Sequence, residues 1–264
     1  MYEEELAFAH QLADRAAGIA LGMFRRTGLQ IDRKPDRTLV TEADLAVESM
    51  IRREIAAAYP DDGILGEEEG GTHEPQGRVW VIDPIDATAN FARGVPIWAV
   101  LIALRVHGES VVGVAEAPAL GERYAAAREQ GATLNGTPIH VSEVDEIGQA
   151  HVLVAEMKTL LGGPDAVAVR GLVDDSWRDR GFGDFWAHML VAKGSAEVML
   201  EPHLSLWDFA APQVIVEEAG GRMTTFAGDP PAHGGTVVTT NGALHDEVLR
   251  RLGGAEGVRS SASA

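Results

Sequence analysis

The chain has 264 residues, 45% of them hydrophobic and 23% charged, which predicts an ordinary globular protein with one large or two modest cores. With 22 Lys and Arg against 40 Asp and Glu the formal charge is -18, a surface that repels nucleic acid and anionic membranes and suits a site that collects cations. The absence of cysteine excludes disulfides, thiolate metal sites and cysteine nucleophiles.

The opening stretch, MYEEELAFAHQLADRAAG, is acidic and amphipathic where an export signal would be basic and then apolar. No apolar run approaches the ~18 residues of a membrane span, so a cytoplasmic protein is expected. Leu6, Ala9, Leu12, Ala13, Ala16, Ala20, Met23 and Phe24 recur at helical spacing and predict a helix over 3–26, closed by Gly28. After the polar segment IDRKPDRT, a second helix begins near Thr41, carries Val47, Ile51 and Ile55 on one face, and stops at Tyr59-Pro60. Thr41 and Asp44 at its start read first as a capping box. Glu67, Glu68 and Glu69 follow an apolar pair and precede a glycine turn, and a run of acids is ordinarily a solvated loop.

A strand over 79–82 runs into Asp83 and Asp86. Strands over 98–106 and 111–115 form a predicted antiparallel hairpin, and a further pair is expected around 123–127 and 139–141, with turn signals at Gly131 and Asn135-Gly136. From about Ser142 the pattern alternates: strand 151–155, helix 163–172, helix 184–193, strand 195–200, a helix from Trp207-Asp208 to Gly220-Gly221, strands 223–226 and 236–240, and a helix over 243–252. The tail GGAEGVRSSASA is expected to be disordered. Two closely packed parts are expected: 1–143, an α+β part with an antiparallel sheet and most of the metal ligands, and 144–264, an α/β part supplying Asp208 and substrate contacts.

The chemistry concentrates in RVWVIDPIDATANF, residues 78–91, where two aspartates at a strand end are followed at once by small residues and Thr88. Carboxylates and the carbonyl of Ile85 are hard oxygen donors, which select magnesium, calcium or manganese over zinc. Small residues with exposed backbone N–H groups, and a hydroxyl, suit a phosphate oxygen. Other chemistries lack their motifs: there is no G-x-S-x-G, no H-E-x-x-H, no Walker loop and no G-x-G-x-x-G, and the nine histidines form no catalytic pattern. Taken alone, Asp208 in a first helical turn is accounted for by the helix macrodipole.

G-E-E at 66–68, D-P-I-D-x-T-x-N-F at 83–91 and W-D-x-A-A-x-x-x-I-V-x-E-A-G-G at 207–221 together resemble the inositol monophosphatase superfamily, in order and spacing along nearly the whole chain. Within it, R-G-F-G-D-F at 180–185 and the ending HGGTVVTTNGALHDEVL resemble the histidinol-phosphate phosphatases of this type. The resemblance implies an α+β fold, an αβαβα layered sandwich, usually a homodimer, requiring two or three Mg2+ ions, with Mn2+ a possible substitute and Li+ inhibitory. It implies Glu67, Asp83, Asp86 and Asp208 as metal carboxylates joined by the Ile85 carbonyl, with Ala87 and Thr88 holding phosphate. Glu67, Asp44 and Thr88 would serve catalysis by positioning or deprotonating the attacking water, supported by Glu68 and lined by Lys34.

One departure stands out: Ala87 occupies a family glycine position. If the backbone there needs a positive φ, its methyl group costs about 1 kcal/mol or more. Ala89 likewise replaces a position that often carries a longer side chain. Asp184 and Glu201 fall where the family meets the alcohol part of its substrate, and two acids there favour a cationic leaving group; the plain alternative for Asp184 is that it caps its helix. The expected reaction is hydrolysis of a small phosphomonoester, with L-histidinol phosphate leading. The alternatives are inositol-1-phosphate or another cyclitol or sugar phosphate, and a binding or regulatory homologue impaired by Ala87.

Overall fold

Small apolar side chains at three- and four-residue spacing make α1 (Glu3–Met23) a helix that can approach a sheet closely, and Ala9, Leu12, Ala13, Ala16, Ala17 and Ala20 are buried along it. The computed structural model describes residues 1–34, 38–71 and 77–253. The tail expected to be disordered lies outside them from residue 254. The chain divides into two units: Met1–Pro138 with Trp207–Glu218, and Ile139–Leu206 with the chain from Ala219 onward. The division expected after residue 143 thus lies at Pro138 and Ile139, and the helix bearing Asp208 groups with the first unit.

In the first unit α1 is followed by β1 (Ile31–Arg33), β2 (Leu39–Thr41), α2 (Glu42–Ala58), β3 (Gly63–Gly66), β4 (Gly70–Gly71), β5 (Arg78–Asp86), α3 (Thr88–Ala92), β6 (Ala99–Val106), β7 (Glu109–Ala117), β8 (Glu122–Ala127), β9 (Ala132–Leu134) and β10 (Thr137–Ile139). β1 and β2 pair with each other, and the rest form one sheet in the order β10-β9-β8-β7-β6-β5-β3-β4. β5 runs parallel to β3 and antiparallel to β6. Every residue of β5 after Arg78 is buried, as a strand covered on both faces must be. On one face α1 and α2 pack through Leu12, Val47, Ile51 and Ile55 against Trp80, Ile82 and Ile102.

The second unit contains β11 (His151–Val154), α4 (Met157–Gly162), α5 (Ala166–Asp175), β12 (Arg178–Arg180), α6 (Asp184–Ala192) and β13 (Val198–Leu204). After α7 (Leu206–Glu218) it resumes with β14 (Arg222–Thr224), β15 (Gly235–Thr240) and α8 (His245–Gly253). Its sheet runs β12-β11-β13-β15-β14, parallel from β12 to β13 and antiparallel thereafter. Gly113 explains why α7 joins the first unit: a Cβ there would fall 2.5 Å from Val214 Cγ1 and 2.6 Å from the Ala211 carbonyl, so only a bare backbone lets α7 lie on β7.

The α+β class expected from the sequence is the one observed, and two local expectations change. β8 pairs with β9, not with 139–141, because Gly131 at φ 75° closes that turn and Asn135-Gly136, at 51° and 77°, opens a second one into β10. The helix expected over 163–172 is α5, which begins only at Ala166 after Gly163-Pro164, and α4, over Met157–Gly162, precedes that break as a separate helix that was not expected. No helix among the described residues is long and apolar enough to cross a membrane.

His188 on α6 is buried, with Nδ1 2.8 Å from Thr239 Oγ1, and burial pushes its imidazole down to about 4. An unfolded chain titrating near 6.5 takes up the proton first, so His188 draws stability away as pH falls from 6.5 toward 4. Unfolding by urea at pH 7 and pH 5 should therefore show His188→Gln losing about 2 kcal/mol less than the parent over that interval. Parallel losses would mean that His188 is not neutral in the fold.

Candidate active site

Side chains alternate along a strand, so Asp83 and Asp86, three residues apart, would face opposite sides of a regular β5. They do not, because the pairing with β6 slips: Asp83 lies opposite Leu101 and Asp86 opposite Ala99, which puts one extra residue on β5. Pro84, which has no N–H to give the ladder, sits in that bulge, and Asp83 Oδ1 accepts the Ile85 N–H at 3.0 Å. Both carboxylates then meet Asp208 in the first turn of α7, with ligand atoms of all three within 4.8 Å of one another. Asp83 and Asp86 are only 2% and 6% exposed.

Immediately after Asp86 the chain turns through Ala87 at φ 63°, ψ 47° into α3. Thr88, first in that helix, places Oγ1 3.0 Å from the Ile85 carbonyl and 3.3 Å from Asp44 Oδ1. Asp44 also closes the capping box of α2, its Oδ2 accepting the Thr41 N–H at 2.8 Å and the Thr41 hydroxyl at 2.5 Å. The capping and site readings of Asp44 are therefore compatible, one per carboxylate oxygen. Glu67 follows β3, its N–H donating to the Ile82 carbonyl at 3.2 Å. Its side chain lies outside the aspartate trio's mutual 4.8 Å and is held by Lys34 Nζ at 2.7 Å, with Glu68 Oε1 2.8 Å from the same ammonium.

Burial, and then the negative charges of Glu67, Asp86, Asp208 and Asp44, hold the Asp83 carboxyl well above the ordinary range. Asp44 is pushed up to about 6 by burial, against the hydrogen bonds from Thr41, and Glu68 to about 7 by burial, against Lys34. Burial would lower the Lys34 ammonium, but Glu67 and Glu68 outweigh it and raise it. Three carboxylates this close, two of them buried and Asp208 half-buried, repel one another and are stabilised by a multivalent cation. An all-oxygen donor set that includes two buried aspartates fits magnesium or manganese, which use few carboxylates and leave positions for water and phosphate.

Asp184 and Glu201 belong to the second unit. Glu201 is 5% exposed on β13, and Asp184 is an exposed residue that opens α6 at φ 55°. The two are near each other, since a Cβ on Gly183 would lie 4.0 Å from Glu201 Oε2. A non-glycine residue in the left-handed region at a helix start is locally strained, a cost that tends to collect at functional positions. Sequence reasoning did not single out Glu48, a fully buried acid behind the Glu67–Glu69 turn; its spacing of four from Asp44 on α2 was the available signal.

The profile of the Inositol monophosphatase family matches residues 1–255. The chain is 46% identical over 257 residues to the histidinol-phosphatase of Mycobacterium tuberculosis, covering 96% of this chain and 99% of that one. It is 43% identical over 265 residues to the histidinol-phosphatase of Streptomyces coelicolor, covering 95% and 97%. Among solved structures, the Thermotoga maritima IMPase superposes with a TM-score of 0.86 at 29% identity, covering 96% of this chain and 98% of that one.

The positive φ at Ala87 carries the steric cost of an L-residue in the left-handed region, about 1 kcal/mol, which glycine does not pay. Ala87→Gly should raise the free energy of urea unfolding by about 1 kcal/mol. A neutral or destabilising outcome would show that residue 87 does not hold this conformation in solution.

Proposed function

Because the chain belongs to the inositol monophosphatase family, we propose that it is a magnesium-dependent phosphomonoesterase that hydrolyses L-histidinol phosphate to L-histidinol and phosphate. The observation that carries the reaction class is the trio of buried Asp83 and Asp86 with half-buried Asp208, gathered within 4.8 Å beside the Thr88 hydroxyl. When bound there, divalent cations supply Lewis-acid stabilisation of the charge that builds on the phosphate oxygens. Asp83, Asp86 and Asp208 would hold them, with Glu67 and the Ile85 carbonyl completing the donor set.

The remaining work falls to the chain. The first N–H groups of a helix lack intrahelical partners, so the turn at Ala87 and Thr88 can direct its donors at a phosphate oxygen. A water held by Thr88 Oγ1 attacks phosphorus in line with the ester oxygen; its proton passes to Thr88 Oγ1 as the Thr88 proton moves to Asp44 Oδ1, 3.3 Å away. A carboxylate raised to about 6 is a suitable acceptor near neutral pH. The new bond joins water oxygen to phosphorus, the ester P–O bond breaks, and the alcohol leaves with a proton from solvent.

The substrate assignment draws on the two histidinol-phosphatase relatives, at 46% and 43% identity, and on the acids Asp184 and Glu201. Histidinol phosphate carries an ammonium group that a carboxylate recognises and a polyol phosphate lacks. Through the family resemblance the reading extends to two or three magnesium ions, manganese as a substitute, inhibition by lithium and a homodimer, and it keeps the cytoplasmic location expected from the sequence.

Phosphate release measured as kcat/KM tests both levels. Histidinol phosphate is expected to exceed inositol-1-phosphate by at least about tenfold, and Asp184→Asn to reduce the former about tenfold, or ~1.4 kcal/mol, with the latter within about twofold. A preference for inositol-1-phosphate would overturn the substrate, and magnesium-dependent release from neither would overturn the phosphatase.

A further inference from the structure

Glu48 lies one helical turn after Asp44 on α2 and is 0% exposed. Its Oε2 accepts the Glu68 N–H at 2.8 Å, its Oε1 accepts the Glu69 N–H at 3.0 Å, and the Arg52 guanidinium donates to Oε1 at 2.8 Å while also reaching the Gly70 carbonyl. Gly66 has no side chain for a reason: a Cβ there would fall 2.1 Å from Glu48 Oε1 and 2.8 Å from the Arg52 guanidinium. The turn from Gly66 to Gly70 is thus wrapped around one buried carboxylate. With its backbone donors directed inward at Glu48, the turn leaves the side chains of Glu67 and Glu68 on Lys34, and the Glu67 N–H on the Ile82 carbonyl, one residue from Asp83.

We infer that Glu48 is a positioning residue for the metal site: through the backbone of Glu68 and Glu69 it sets where the Glu67 carboxylate stands, without itself touching an ion. The inference rests on the metal-dependent reading proposed above. α2 is then a shared frame, carrying Asp44 at its first turn and the anchor of the Glu67 turn at its second, so both acids keep one spacing relative to β5. Buried backbone donors that lose a carboxylate acceptor must find another or remain unsatisfied, and either outcome displaces the turn. Groups that orient a ligand from behind are typically worth about 10–100-fold in metal affinity.

Two variants approach the contact from opposite sides. Glu48→Gln keeps the shape and removes the charge, whereas Gly66→Ala keeps the charge and evicts the carboxylate. Glu197→Gln serves as a comparison, since Glu197 is a buried acid of the second unit that accepts the Ser142 hydroxyl at 2.8 Å and the His151 N–H at 2.6 Å. Each full-length protein is titrated calorimetrically with manganese chloride alone, and melted in chelator to confirm folding. The expected result is a manganese Kd raised at least about tenfold in Glu48→Gln and in Gly66→Ala and unchanged in Glu197→Gln. Phosphate release by the first two should show a raised metal requirement, with kcat at saturating metal changed less than the apparent metal affinity. Folded Glu48→Gln or Gly66→Ala protein binding manganese as tightly as the parent would overturn the positioning role. A parent that binds no manganese would instead overturn the metal reading on which it rests.

Discussion

One extra residue in β5 is the constraint on which the site depends. Strand geometry alone would aim Asp83 and Asp86 at opposite faces, and the slip against β6 at Pro84-Ile85 brings them to the same one. Three features follow from that slip. The carboxylates meet Asp208, the Ile85 carbonyl turns toward the Thr88 hydroxyl, and the strand is left at a point from which a left-handed residue starts α3 directly. Gly113 serves the same end from the other side of the sheet, since α7 can present Asp208 only if its backbone lies against β7.

The charge pattern around this frame has two sectors. The aspartate trio concentrates negative charge on hard oxygen donors, and the Asp83 carboxyl, buried and beside these acids, moves up in pKa. Glu67 and Glu68 are instead paired with Lys34, and the backbone N–H groups of Glu68 and Glu69 donate to a further acid, Glu48, whose own charge is met by Arg52. An ammonium on one side of the turn and a carboxylate on the other hold it between them. A site arranged this way has most of its acids placed before any cation arrives, which lowers the reorganisation that binding requires.

Much of this was legible in the sequence, and the remainder was hidden for definite reasons. Asp83, Asp86 and Thr88 stand out because carboxylates at a strand end beside small residues and a hydroxyl suit a metal and a phosphate, whereas Asp44 and Asp208 read singly as helix starts and were drawn to the site by the family resemblance. The slip in β5 was not legible, because a spacing of three reads as a turn as easily as a bulge. β9 and β10 have three residues each, too few for alternation to register. At Ala87 the sequence left open whether the backbone needs a positive φ, and only the backbone shows that the glycine-like conformation is kept with an L-residue in place. Glu48 was masked by its own helix: an acid between Val47 and Ile51 reads as solvated until the turn packed over it is seen.

The central claim is that Asp83, Asp86 and Asp208 form the floor of a divalent-cation site. Diffraction from crystals of the protein soaked in manganese chloride, collected to record the anomalous signal of manganese, tests it most directly. The account predicts an anomalous peak bounded by carboxylate oxygens of those three residues, lost in crystals of Asp83→Asn. Manganese density confined to other parts of the molecule, with the three carboxylates turned away from one another, would contradict it.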